Sequence, residues 1–177
     1  MGHRRHWGGE MDTLLDRIRD RITEGRPCDH PGEWLSVQPL TTPAEVTAVE
    51  ERLGFRLPEL LRRLYTEVGN GGFGPVFGLI PLTIMSLGDD TPMEAEFELA
   101  GDYARLVRRY GREWPAGLVP TFYCGCTVFE FVDCRSPEGP VVWFDEGTED
   151  LSELLARKPV PSLEARLEAW LAGRQPG

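Results

Sequence analysis

Between residues 118 and 145 the apolar side chains stop recurring at helical spacing and begin to alternate, and this change of period constrains the fold more than any other feature of the chain. Leu118 to Tyr123, Thr127 to Asp133 and Val141 to Asp145 are rich in Val, Phe, Thr and Trp, which fit a pleated surface, and turns containing Gly and Pro separate them. Three such runs in succession predict an antiparallel meander. The flanking segments read as helices. The expectation is therefore an α+β domain, an antiparallel-rich sheet of about four to six strands with helices packed on one face.

Met11, Leu14, Leu15, Ile18 and Ile22 recur at helical spacing and predict an amphipathic helix from about Glu10 to Glu24, ending before Gly25. A segment with Pro27, Pro31, Gly32 and Pro39 follows and reads as irregular, with Trp34 as its expected anchor. In Thr42-Pro43-Ala44-Glu45 the hydroxyl can accept the N3 amide, Pro43 sits where no donor is needed, and Glu45 completes a capping box. Val46, Val49 and Leu53 mark the buried stripe of that helix. A second helix from about Pro58 should bury Leu60, Leu61, Leu64, Tyr65 and Val68 and stop at Gly69-Asn70-Gly71-Gly72, giving a helical hairpin. Val76 to Leu82 reads as a short strand, and Ile84 to Leu87 as an apolar patch of undefined type. Thr91-Pro92-Met93-Glu94 repeats the capping logic and predicts a long helix to about Tyr110 with Phe97, Ala100, Ala104 and Val107 on one face. Two closing helices are expected at Leu151 to Ala156 and Ser162 to Ala172. Residues 1–30 thus read as an N-terminal helical extension and residues 31–177 as the α+β domain, one globular unit overall.

A chain of 177 residues with 41% hydrophobic and 10% aromatic residues can bury a sizeable core without staples. Arg and Asp interrupt every hydrophobic stretch up to Trp34, which argues against a signal peptide or membrane span. Cys28, Cys124, Cys126 and Cys134 are too few and too unevenly placed for a disulfide framework, so a reducing cytoplasm is expected. The net charge of −10 is unevenly spread. Residues 1–26 nearly balance, whereas Asp89, Asp90, Glu94, Glu96 and Glu98 fall in a stretch without Lys or Arg, as do Asp145, Glu146, Glu149, Asp150 and Glu153. Such surfaces repel nucleic acid and anionic lipid and attract basic proteins; the bland alternative is a solvated face.

Pro39-Leu40-Thr41, Val49-Glu50, Leu53-Gly54, Leu57-Pro58, Tyr65 and Asn70-Gly71-Gly72, in that order and spacing, resemble the opening helical hairpin of the SUKH superfamily. Gly78-Leu79-Ile80-Pro81-Leu82 continues the likeness. Leu118-Val119-Pro120, the Gly125 turn, Asp133, Gly139-Pro140-Val141 and Trp143-Phe144-Asp145 are similar to its strand block, and Ser162-Leu163 to Trp170-Leu171 to its closing helix. The likeness spans residues 34–172. It implies a mixed fold without known catalysis. For most bacterial members it implies an immunity protein that binds and neutralises a polymorphic toxin, often a nuclease, and for fungal relatives regulation of cell-wall synthesis through protein contacts. Cys124-Gly125-Cys126 departs from the Gly-rich polar turn of many relatives, and the first helix lies outside the match.

Residues 69–74 satisfy G-x-G-x-x-G, but a dinucleotide loop follows a strand and opens a helix, whereas this run follows a helix and reads as a C-cap and turn. Cys124, Cys126 and Cys134 could supply three thiolates to zinc, yet their spacing is not that of paired knuckles and His30 is remote, so buried strand thiols are the expectation and no metal or cofactor is assigned. His3, His6 and His30 all precede the domain, and no nucleophile elbow or zinc-protease motif is present. Asp145 with Glu146, or Glu94 with Glu98, could flank a hydrolytic cleft, and nothing further favours it. Trp34, Tyr65, Trp143 and Trp170 are expected in the core, while Trp114 beside Pro115 is the candidate exposed aromatic anchor.

The combined reading is a non-enzymatic protein-binding domain, monomeric or weakly dimeric. Asp89, Asp90, Glu94, Glu96, Glu98, Trp114, Asp145, Glu146, Glu149 and Asp150 are its candidate partner-binding residues, and a basic toxin domain is its expected partner. A regulatory scaffold or small-ligand-binding module is the alternative, and an unrecognised hydrolase ranks third.

Overall fold

The computed structural model describes residues 7–30, 36–83 and 98–174. Helix α1, Trp7–Thr23, turns Leu14, Leu15 and Ile18 inward, each almost fully buried. Helix α2, Pro43–Leu53, starts where its sequence dictates: the Glu45 amide donates to Thr42 Oγ1 at 3.2 Å while Glu45 Oε2 accepts the Thr42 amide at 2.6 Å. Its last turn closes on Gly54 at φ 82°, a conformation that costs a glycine little. Removing the cap hydroxyl with Thr42→Ala should lower stability by about 1 kcal/mol, read as a reduced urea midpoint at unchanged slope.

Helix α3, Glu59–Arg63, continues into a π-helical turn at Leu64–Val68 and stops at Gly69, so the predicted second helix has one extent and two geometries. The glycine run after it is required by crowding. A Cβ on Gly72, at φ 78°, would lie 2.1 Å from the Ser36 carbonyl oxygen. Buried Asn70 secures the next segment, accepting the Leu82 amide at 2.7 Å and donating to the Thr83 carbonyl at 2.9 Å. Among the described residues no helix opens on the glycine run, which is followed by a turn and an extended segment at Gly78–Leu79, so the structural context for a dinucleotide loop is missing.

Strands β1 (Gly78–Leu79), β2 (Leu118–Gly125), β3 (Val128–Asp133) and β4 (Val141–Asp145) form one sheet in sequential order, antiparallel throughout. The expected α+β architecture is present, with four strands. Strand β2 carries register irregularities between Pro120 and Phe122 and between Tyr123 and Gly125. Cross-strand pairing puts Val119 with Val132 on one face, along with Phe122, Glu130 and Val141. Against that face α1, α2, α3 and the last helix, α6 (Leu163–Leu171), build the larger core cluster. Phe129, Phe131 and Phe144 point the other way and pack with Leu106, Trp114 and Leu154. Helices therefore line the second face too, through α4 (Leu99–Tyr110) and α5 (Leu151–Ala156).

Two sequence expectations for α4 need correction. The helix begins at Leu99, after an extended Glu98 at φ −136° and ψ 126°; the proposed start at Thr91 to Glu94 lies outside the described residues. Of the expected face Ala100 is buried, but the helix packs mainly through buried Leu99 and Leu106, with Tyr103 and Tyr110 partly buried at four- and three-residue spacing against the two clusters. Val107 is 38% exposed instead. Trp34, Phe97 and the patch at residues 84–87 also lie outside the described residues.

Candidate protein-binding surface

The acidic run from Asp145 to Glu153 contains no base, yet folding brings bases to it. Glu146 is only 4% exposed: Arg105 donates to its carboxylate through Nη1 at 2.6 Å and Nη2 at 3.0 Å, and Arg109 Nη2 donates to its carbonyl at 3.0 Å. It fastens α4 to the end of β4 and is not a surface acid, contrary to the sequence expectation. Glu149 receives both Arg157 terminal nitrogens, at 3.0 and 2.7 Å. Asp145 accepts from the Thr127 hydroxyl, the Gly147 amide and the Thr148 hydroxyl, and these bonds hold its carboxyl below the usual carboxylate range while shaping the turn. Exposed Asp150 caps α5, its amide donating to Glu153 at 3.3 Å. Glu98 takes Arg52 Nη1 at 2.5 Å. Asp89, Asp90, Glu94 and Glu96 lie outside the described residues.

The two tryptophans exchange their expected roles. Trp114 is 4% exposed, packed against Tyr110 and Phe131 with ring centroids 5.5 and 5.4 Å away, and its indole N–H donates to the Leu118 carbonyl at 3.0 Å. A buried indole with its N–H satisfied has no surface left to anchor a partner. Trp143, expected in the core, is 40% exposed. It lies opposite Glu130, which is buried and bonded by Arg166 of α6, whereas the indole itself stays partly open to water. Arg157 covers Trp143 with its guanidinium carbon 3.6 Å from the ring centroid, and Nη1 donates to the Trp143 carbonyl at 2.7 Å. Leu155, 61% exposed, projects from the neighbouring α5. Every residue from Val141 to Phe144 is apolar, so alternation alone could not say which of them faces water.

Trp143, Val141, Val160, Arg157, Lys158 and Arg166 line a groove of about 350 Å³ whose floor is the Glu130–Arg166 pair. That pair is buried on both sides, with Arg166 Nε 2.8 and 2.9 Å from the two carboxylate oxygens and Nη2 2.7 Å from one of them. The wall is tied by Glu149. Its bond from Arg157 holds the Glu149 carboxyl below its ordinary value of 4.5. The contribution of this contact is fully present above that ordinary value and is lost as pH falls through the lower folded one. A side-chain NMR titration should place the Glu149 midpoint below 4.5, and Arg157→Ala should return it towards 4.5; a midpoint at the ordinary value in the unaltered chain would contradict the clamp.

All four cysteines are free thiols. Burial pushes Cys124 up to about 12 and Cys134 higher still, while Cys126 is exposed in the β2–β3 turn. Among the described residues no group of three His, Cys, Asp or Glu side chains is placed to hold a metal ion, and no helix is long and apolar enough to cross a membrane. His30 stacks on Phe77 with ring centroids 4.9 Å apart.

The helical hairpin, the four-stranded antiparallel sheet and the closing helix define an α+β domain of the SUKH class. The chain belongs to the SMI1 / KNR4 family (SUKH-1), whose profile matches residues 40–164. Comparison with curated proteins and with solved structures gave no match.

Proposed function

We propose that this chain is a non-catalytic immunity-type domain that binds and neutralises a cognate toxin domain of basic surface. Family membership carries the reading, because SUKH domains are in general immunity or regulatory domains that work through protein partners. The net charge of −10 supports it by favouring a basic partner, and four free thiols suit a reducing cytoplasm.

The burial of Glu146 changes how the acidic surface must be tested. Charge reversal there would break the Arg105 contact and report on folding. Asp150 caps α5 and would report on folding in the same way, so Glu94 and Glu96 are the positions to reverse, with Trp143 as the aromatic candidate in place of Trp114. An interface of this kind covers about 800 Å² per partner and depends on salt in its association rate. Replacing Glu94 and Glu96 together by Lys should slow association with a basic toxin domain about tenfold or more at low salt. Unchanged association kinetics would remove these acids from the interface.

A further inference from the structure

The outer edge of β4 is closed almost completely by the chain's own groups. Antiparallel pairing with β3 turns the backbone of Val141, Trp143 and Asp145 outward. Val141 exchanges both of its hydrogen bonds with Val160, at 3.0 and 2.8 Å. Arg157 takes the Trp143 carbonyl and Glu149 accepts the Asp145 amide at 3.1 Å. Among the described residues the Trp143 N–H alone on this edge has no acceptor. It sits in the groove already described, beside an exposed indole.

The charges around that amide run against the rest of the molecule. Three cations, Arg157, Lys158 and Arg166, line the groove with a single carboxylate, Glu130, in a chain of net charge −10. Glu149 holds Arg157 from one side and Glu130 holds Arg166, which leaves exposed Lys158 without an ion pair among the described residues. Lys158 is also the only lysine in the sequence. An unpaired backbone donor, a free ammonium and the apolar flank of Val160 are complementary to a carboxylate carried on an extended chain.

We propose that this groove recognises an acidic, extended segment of a protein partner. A carboxylate of that segment accepts from the Trp143 amide and pairs with Lys158, and an apolar neighbour lies against Val160 and the indole. The site deepens the protein-binding reading without depending on the partner being a toxin.

The test uses the full chain labelled with ¹⁵N and with ¹³C-lysine, so that one side-chain signal reports on Lys158. The probes are acetyl-Thr-Val-Glu-Val-Thr-Val-amide and the same peptide with Gln in place of Glu. The acidic peptide should shift the Trp143 amide and the Lys158 signal saturably, and bind about two- to fivefold more tightly than the Gln peptide, the difference expected for one partly exposed ion pair. Lys158→Glu, at an exposed position where folding is retained, should abolish that difference. Equal binding of the two peptides, or no shift at either reporter at several-millimolar peptide, would overturn the proposal. Because no toxin enters the experiment, its failure would leave the immunity reading to be judged separately.

Discussion

Deletion of residues 1–30 is expected to leave a chain with no cooperative unfolding transition. Although α1 precedes the segment matched by the family profile, Leu14, Leu15 and Ile18 belong to the same buried cluster as Val46, Leu61, Val132 and Trp170. The end of the segment is tied in as well. Asp29 accepts the Trp170 indole N–H at 3.2 Å and the Val76 amide at 2.9 Å, and Arg21 lies over the Trp170 ring with its guanidinium carbon 4.6 Å from the centroid. That amide matters because Val76 holds φ 55°, a left-handed conformation unusual for a β-branched residue, and Asp29 helps to fix it. Truncating one buried leucine costs about 2–5 kcal/mol, so losing three large core side chains matches the whole stability of a typical domain, about 5–15 kcal/mol. Leu15→Ala alone should remain folded and lose about 2–5 kcal/mol in urea titration at unchanged slope. A truncated protein that melts cooperatively near the temperature of the full chain would show α1 to be an appendage.

Arg166→Met is expected to destabilise the protein by about 3–5 kcal/mol, because it strands the Glu130 carboxylate in the core with no counterion. The effect should be largely reversed by adding Glu130→Leu. Replacing both members of a buried pair with apolar side chains of similar size removes the cost of keeping two charges out of water, whereas removing one leaves that cost and takes away its compensation. Urea titration of the two single variants and the double variant gives the coupling directly. A double variant as unstable as Arg166→Met would mean that the pair is irreplaceable for reasons of shape.

What the sequence revealed was local. The capping box at Thr42 and Glu45 is written within four residues, and the structure forms it with both bonds. The three long strands fall within one or two residues of their expected bounds, because turn residues and alternation are short-range signals. The site was less legible, because its chemistry depends on distant partners. Nothing near Glu146 announces Arg105, and nothing near Glu149 in composition distinguishes an acid that clamps Arg157 from one that faces water. Trp114 sits beside a proline after a helix, which suggests exposure until β3 supplies Phe131 beneath it. Trp143 lies opposite Glu130, whose buried partner Arg166 comes from 36 residues away, so the exposure of the indole depends on tertiary packing that alternation does not encode. One signal of the groove is present in the sequence itself: Lys158 is the single lysine among nineteen basic residues.

The central claim, that this domain acts by binding and neutralising a basic protein, is tested most directly by affinity capture from native cell extract at low and at high salt. The captured partner is identified by mass spectrometry and its toxicity measured with and without the purified chain. The account predicts a basic toxin domain held in stoichiometric amount, released by salt and silenced by this chain. Recovery of no basic partner, or of one whose activity is unchanged by saturating amounts of the chain, would contradict it.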